Sequence, residues 1–310
     1  MVTARPLTEI PLRGAGGEPV DLWRTLVSHG FAALPPLVLD EENRRLDVTL
    51  AVDGQARTLR IEHGRNGRAL LSVAGRKPSA AAERQLVASV AHVLRLDEDL
   101  SGLYAEIADD PDLAWVVTGA GRMLRSPTVF EDVVKTVCTT NCAWSATERM
   151  VGALVENLGA EDRATGRHAF PTPEAMAEAD ESFYRDVVRA GYRGAYLRTL
   201  AAGVAEGAIE LEALSASASP DLPDDEVAER LLALPGVGPY AAAHVMMLLG
   251  RYSRLILDSW TRPKYARLTA ARKPPADRTI ERRFKRYGRY AGLAFWLYLT
   301  RDWVEEPGAA

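Results

Sequence analysis

The chain reads as an α+β protein, an amino-terminal antiparallel β domain over residues 1–80 followed by a mostly helical region over residues 81–310. Three observations predict this. Leu46, Val48, Leu50 and Val52 alternate with polar residues, and after Asp53-Gly54 the alternation resumes at Leu59 and Ile61, the signature of a half-buried antiparallel hairpin. Beyond Gly75-Arg-Lys-Pro-Ser79 the apolar spacing becomes helical, in Leu86, Val87, Val90, Val93 and Leu94, which sets a boundary near residue 80. With 310 residues and 47% hydrophobic composition, the chain can bury at least one ordinary core, and one to three domains are open to it.

In order along the chain, strands are expected from Phe31 to about Val73. Thr128-x-x-Glu131 has the form of a capping box, with Val129, Phe130, Val133, Val134 and Val137 as the apolar face behind it. Ser145-x-x-Glu148 repeats that form ahead of Met150, Val151, Leu154, Val155 and Leu158, with Gly159 as the stop. Between these helices lies the turn Asn141-Cys-Ala-Trp144. Further helices are expected at about 174–190, 194–206, 224–233, 239–249, 259–269 and 278–301, and Ala213 to Pro223, rich in Ser, Ala and Pro, reads as a connector. No internal repeat of fixed period is found.

Cys138 and Cys142, the two cysteines, cannot supply a four-thiolate zinc or iron–sulfur site and read as packed thiols. The five histidines, His29, His63, His92, His168 and His244, lack metal spacing, and His244 on its Ala/Val/Met helix reads as a satisfied core imidazole. The residues Met1-Val-Thr-Ala-Arg-Pro6 lack the apolar core of a signal peptide, and no run of about 18 uncharged apolar residues offers a membrane span. A reducing cytoplasm is the expected compartment.

The most informative run is Leu231 to Gly250. One helix ends near Leu234, Pro235-Gly236-Val237-Gly238 turns the chain, and Pro239 fits a first helical position, where a missing amide hydrogen is tolerated. The glycines permit positive φ and let a phosphate approach the backbone, where amides of the second helix would meet it. An ordinary helical hairpin packed through Ala241, Ala242, Val245 and Leu249 is the plainer alternative. The spacing of the proline and both glycines, followed by Leu255-Ile-Leu-Asp258, resembles the helix-hairpin-helix, Gly/Pro-rich, Asp superfamily of base-excision DNA glycosylases. Phe130 to Gly159 is similar to that family's early helix pair, Gly191-Tyr-Arg-Gly-Ala-Tyr196 to its Gly-Tyr-Arg element, and Tyr290-Ala-Gly-Leu-Ala-Phe-Trp296 to its final helix. The strands before residue 80 resemble the β domain of two branches, 8-oxoguanine glycosylase and bacterial 3-methyladenine glycosylase II.

The resemblance implies two helical subdomains flanking an active-site cleft, and a catalytic carboxylate at Asp258. Breaking an N-glycosidic bond develops oxocarbenium character, which an ionised carboxylate stabilises. Asp258 also fits a helix N-cap, and the two roles are compatible. Bifunctional family members carry a nucleophilic lysine where this chain has Tyr240, and Lys264 matches no nucleophile position. The expectation is therefore a monofunctional enzyme of the 3-methyladenine glycosylase II type, with Asp258 orienting or activating water.

By the same resemblance, Pro235, Gly236, Val237, Gly238 and Tyr240 meet a DNA phosphate, Asn141 enters the space vacated by a flipped base, and Tyr192 wedges the opposite strand with Arg193 beside it. Tyr240, Trp260, Phe295 and Trp296 are expected to line the base pocket, which suits a cationic alkylated purine. A lysine at Tyr240, a polar amide near Phe295 and an arginine at Ala146 would mark the 8-oxoguanine branch; all three are absent. That branch, with lyase activity, stays an alternative, as does a non-catalytic DNA-binding protein. No cofactor is required; the carbonyls of Leu232, Leu234 and Val237 could hold Na+ or K+. The expected partner is damaged double-stranded DNA, bound by a monomer at the nucleoid, with no membrane and no nucleotide cofactor.

The net charge of −4 conceals an asymmetry. Residues 251–301 hold 14 Arg or Lys against 3 Asp or Glu, a local +11, while the remainder holds 24 basic and 39 acidic residues. The basic segment begins just after the hairpin, includes Asp258, and is expected to steer a polyanion toward it.

Overall fold

A computed structural model describes residues 4–304. Its amino-terminal part is a five-stranded antiparallel sheet of β1 (Ala4–Pro11), β2 (Leu37–Asp40), β3 (Arg45–Val52), β4 (Gln55–His63) and β5 (Arg68–Ala74), in the order β1-β5-β4-β3-β2. The β3–β4 hairpin forms as expected. Val52 pairs with Gln55 across Asp53 (φ +51°) and Gly54 (φ +70°), the pair of left-handed residues whose twist matches flanking strands. Leu46, Val48, Leu50 and Val52 face inward. Phe31 does not begin a strand: Gly30–Ala33 is a single 3-10 turn, preceded by the short helix α1 (Leu22–Leu26).

Helix α2 (Ala80–Val93), capped by Ser79, covers the apolar face of the sheet through Leu86, Val90 and Val93, and α3 (Ser101–Ile107) follows. The other face is partly covered by a two-stranded hairpin, β6 (Glu161–Asp162) and β7 (Arg167–His168). Its contacts are polar. The Thr58 N–H donates to Asp162 Oδ2 at 2.9 Å, and Arg167 reaches Asp47 at 2.9 Å.

Helices α4 (Val129–Thr139) and α5 (Trp144–Leu158) form the early pair. Thr128 caps α4 by accepting from the Glu131 N–H at 3.2 Å, but the Glu131 carboxylate pairs with buried Lys135 at 2.6 Å instead of completing the box. Ser145 caps nothing, because α5 already begins at Trp144 with Ala143 at the N-cap position.

The helix expected at 174–190 is broken. α6 (Pro173–Glu178) ends where Ala179 turns extended (ψ 134°), and a separate π turn spans Phe183–Val187. Next come α7 (Arg193–Ala205), α8 (Asp224–Leu232), α9 (Pro239–Leu248), α10 (Thr261–Leu268), α11 (Asp277–Phe284) and α12 (Ala291–Thr300). The expected helix 278–301 is two helices joined by a 3-10 segment, because Gly288 adopts φ +50°, ψ −122°. The connector before α8 is pinned by buried Arg251, whose guanidinium donates to the carbonyls of Leu214, Ser219 and Leu222.

Two helical cores result, one built by α4 to α9 and the other by α3 and α10 to α12. Helix α9 serves both, with Ala242 and Val245 in the first and Ala243 and Met247 in the second. No helix among the described residues is long and apolar enough to cross a membrane.

Candidate functional site

The α8–α9 hairpin lies on the seam between the two helical cores, and beside it opens a cleft of about 1270 Å³. Gly236 has φ +78°, and a Cβ there would lie 2.8 Å from Tyr196 Cδ2, so conformation and contact both demand glycine. Gly238 departs from the expectation of positive φ. It is extended (φ −98°, ψ −176°), and a Cβ on it would meet nothing within 4 Å. Its contribution is open space over the first turn of α9, where Pro239 stands at the helix start and the early amides have no intrahelical acceptor. Val237 turns inward, 7% exposed, and its N–H donates to the Leu234 carbonyl at 3.2 Å. Backbone donors beside a bare glycine leave the start of α9 open to close approach by a ligand.

Asp258 lines the same cleft, at the end of the Leu255–Leu257 segment. Its Oδ1 accepts from the N–H of Trp260 at 2.9 Å and of Thr261 at 2.7 Å, while its own N–H donates to Thr261 Oγ1 at 2.8 Å. This reciprocal pair starts α10, so the carboxylate caps the helix and also lines the cleft. Among the described residues Oδ2 takes no hydrogen bond, which leaves one carboxylate oxygen for other chemistry. Arg262, also on the cleft, is engaged by Asp277 through two bonds of 2.8 and 2.9 Å.

Three of the four expected pocket aromatics meet in the cleft. Tyr240 Oη lies 3.3 Å from Thr139 Oγ1, and burial raises its phenol pKa. Its side chain lines the cleft beside the hairpin residues Gly236 to Pro239. Trp296 is 7% exposed, anchored by its indole N–H on the Ser28 carbonyl at 2.8 Å, and its ring lies 5.6 Å from that of half-exposed Trp260. Phe295 is not part of the site. It is fully buried against Phe284 (5.1 Å) and Tyr265 (6.2 Å), because consecutive residues of a helix point about 100° apart and Trp296 takes the cleft face.

The α4–α5 loop brings Asn141, itself left-handed at φ +47°, to within 3.4 Å of the Tyr192 hydroxyl. Tyr192 is 56% exposed and projects beside the cleft. Arg193 does not project with it. It is buried, donates to the carbonyl and hydroxyl of Thr140, and lies 4.6 Å over the Tyr192 ring, so it supports the Asn141 loop from behind.

The sequence reading missed one wall of the cleft. The 3-10 turn of the β domain supplies His29 and Phe31, and α9 supplies His244, which stacks on Phe31 at 5.0 Å. His29 is satisfied, with Nε2 at 2.5 Å from the Leu124 carbonyl and Nδ1 accepting from the Phe31 N–H. His244 is not the satisfied core imidazole expected: its Nδ1 is buried without a partner among the described residues. Burial pushes His29 down to about 3 and His244 down to about 4, so both are neutral at pH 7. The available signal was position, since His244 follows Tyr240 by one helical turn and shares its face. Cys142 also reaches the cleft and donates to the Cys138 carbonyl at 3.2 Å; Cys138 is buried, its thiol pushed up to about 12.

The basic segment is less available than its sequence suggests. Seven of its cations sit in ion pairs, among them Arg251 with Asp224, Lys264 with Asp302, Arg283 and Arg301 with Asp112, and Arg286 with Asp110. Among the described residues no group of three or more His, Cys, Asp or Glu could hold a metal ion.

No protein-family model matches the chain. A curated Bacillus subtilis (strain 168) protein, "Putative DNA-3-methyladenine glycosylase YfjP", is 30% identical over 110 residues, which span 35% of this chain and 34% of that protein. The match thus covers about a third of the curated relative's length. Among solved structures, a 3-methyladenine DNA glycosylase from Archaeoglobus fulgidus superposes with a TM-score of 0.71 at 22% identity, over 96% of this chain and 100% of that one. An 8-oxoguanine glycosylase/lyase from Clostridium acetobutylicum gives 0.70 at 19% identity in its apo form, over 96% and 98%. The same enzyme bound to double-stranded DNA containing cytosine opposite 8-oxoguanine gives 0.69 at 20% identity, over 97% and 98%. The chain therefore has the helix-hairpin-helix glycosylase fold, β domain included.

Proposed function

We propose that the protein is a monofunctional DNA N-glycosylase that flips an alkylated purine, such as 3-methyladenine, out of duplex DNA and hydrolyses its N-glycosidic bond. One juxtaposition carries the reading. Asp258, the open amides of the hairpin and the rings of Tyr240, Trp260 and Trp296 share one cleft. A phosphate seated at Gly236 to Gly238 would hold the backbone while the base enters the aromatic recess, with Asn141 and Tyr192 placed to occupy the duplex behind it. Asp258 Oδ1 is fixed by two amides, so Oδ2 is the atom that would face C1′ and orient the attacking water.

The B. subtilis relative's name agrees with an alkylated-base substrate. The 8-oxoguanine-type alternative needs an amine nucleophile, and among the described residues no lysine lines the cleft. A Na+ or K+ ion on the carbonyls of Leu232, Leu234 and Val237 belongs to the same proposal. The Leu234 carbonyl accepts one hydrogen bond and retains a second lone pair, which fits such an ion. The partner in this reading is damaged double-stranded DNA, met by a monomer in the cytoplasm.

Release of 3-methyladenine, 7-methylguanine and 8-oxoguanine from defined duplexes, measured by chromatography with and without borohydride, tests the proposal. An alkylated base released without a trapped adduct is the expected outcome. A borohydride-trapped enzyme–DNA adduct would replace it with a lyase, and lesion binding without base release would leave a non-catalytic DNA-binding protein.

A further inference from the structure

We propose that the outer face of α11, carrying Arg278, Arg282 and Lys285, binds phosphates of the duplex DNA that flanks the cleft. The inference rests on the part of the preceding reading that puts duplex DNA at the cleft, and it adds a contact outside both the cleft and the hairpin.

Folding sorts the cations of residues 251–301 into two groups. Seven are neutralised in ion pairs. The other seven are all exposed, make no ion pair among the described residues, and fall between Arg267 and Arg289. Helix α11 shows how the sorting works. Ile280 and Phe284 are buried in the second helical core. To one side of them Arg283 is held by Asp112 at 3.0 Å, and to the other Asp277 holds Arg262 at 2.8 Å. Arg278, Arg282 and Lys285, spaced by four and then three residues, share the face that remains. Glu281, on the same helix and exposed, pairs with none of them among the described residues. Like charges one turn apart destabilise a helix, so a row left unneutralised is explained by a partner that supplies the opposite charge.

The spacing fits one strand of a duplex. From Arg278 to Lys285 the chain rises about 10 Å, and B-form DNA carries one phosphate per strand in about 3.4 Å of its axis. A helix laid along the duplex therefore offers one cation to each of about three phosphates. The row also starts beside the cleft. Arg262 lines the cleft and is bound twice by Asp277, the residue before Arg278. An anionic membrane surface matches less well, because an interfacial helix inserts an exposed apolar face, and the Ile280 and Phe284 side chains of α11 are spent in the core.

The test compares wild type with two variants of equal net charge. The stripe variant combines Arg278→Gln, Arg282→Gln and Lys285→Gln; the control combines Arg65→Gln, Arg76→Gln and Arg84→Gln, exposed residues of the amino-terminal part that make no ion pair among the described residues. Affinity for a duplex of about 30 base pairs is measured across a salt series. The slope of log affinity against log salt should be shallower by about 2 to 3 in the stripe variant and unchanged in the control. Single-turnover base release from saturated duplex should be the same in all three proteins. A slope unchanged in the stripe variant overturns the inference and leaves the glycosylase reading standing, and an equal loss in both variants reduces the stripe to bulk charge and overturns it as well. A stripe-dependent slope in a protein that releases no base supports the inference while defeating the glycosylase reading. Cosedimentation of wild type with phosphatidylglycerol vesicles, lost in the stripe variant while duplex affinity stays equal, would assign the face to a lipid surface and overturn the inference.

Discussion

Replacing Asp258 by Asn and, separately, by Ala divides two roles that one carboxylate is positioned to play. Its Oδ1 accepts two amide hydrogens at the start of α10, and Thr261 returns the bond at 2.8 Å. Asparagine keeps an oxygen at that place and alanine does not. Losing a side-chain cap costs about 1 kcal/mol, so Asp258→Ala should unfold about 1 kcal/mol more easily than wild type, while Asp258→Asn should stay within about 0.5 kcal/mol. Catalysis should not distinguish them. Both remove the negative charge that the proposed mechanism sets opposite C1′, and losing one group of that kind slows the chemical step by about 10²- to 10³-fold, roughly 3 to 4 kcal/mol of barrier. Urea unfolding followed by circular dichroism supplies the first comparison, and single-turnover base release supplies the second. Asn-variant release within about threefold of wild type would reduce Asp258 to a helix cap and refute the catalytic argument. Equal instability of the two variants would refute the cap argument.

Acid should weaken the fold in a window set by the buried imidazoles. His29 and His244, lowered to about 3 and about 4, bind protons more weakly folded than unfolded, so their contribution is full above about pH 6.5 and is lost as pH falls toward 4. From pH 7.5 to 5 each such group costs about 2 kcal/mol, and His244→Phe should lose about that much less than wild type on the same titration. Asp132, raised by burial to about 7, acts oppositely, its contribution growing as pH falls from 7 toward 4, so Asp132→Asn should make wild-type acid sensitivity steeper. In the hairpin, Gly236→Ala should destabilise the protein by about 1 kcal/mol or more, through strained φ and the Tyr196 contact, whereas Gly238→Ala should fold normally and lose affinity for duplex in a filter-binding assay. DNA affinity should fall with rising salt, but with fewer released counterions than the 14 basic residues of 251–301 would supply, because seven are already paired; a flat response or a slope near the full count would contradict this.

What the sequence disclosed follows the range of the interactions involved. The β3–β4 hairpin was legible because alternation and the Asp53-Gly54 turn lie within one short window. β1 was not, because Arg5, Pro6, Thr8 and Glu9 do not alternate and the strand exists by pairing with distant β5. Helix existence was readable from apolar spacing, while the breaks at Ala179 and Gly288 depend on single backbone conformations. The hairpin and Asp258 were legible because their chemistry is carried by adjacent residues. His29 and Phe31 were not, since nothing in their neighbourhood indicates that the β domain's turn reaches α9. Phe295 was misplaced for a related reason: a run as uniformly apolar as Leu293 to Leu299 gives no phase, and only packing decides which ring meets the cleft.

Helix α9 explains how these distant pieces make one site. From Ala241 to Leu248 it is buried on every side, so its sequence has no polar stripe and its orientation is fixed by three neighbours at once. One helical core takes Val245, the other takes Met247, and the β domain holds His244 through Phe31. Its carboxyl end is fastened as well, since buried Arg95 donates to the Leu248 carbonyl. Only the amino-terminal turn, with Gly238 and Pro239, faces solvent. An element anchored in this way does not swing on binding without breaking core packing. The spacing between the hairpin at its start and the cleft wall further along the helix is therefore built in before any ligand arrives. On the proposed reading, a phosphate docked at the hairpin would deliver its nucleotide to a recess of fixed depth, and a base would be admitted by its fit to that recess, not by closure of the protein around it.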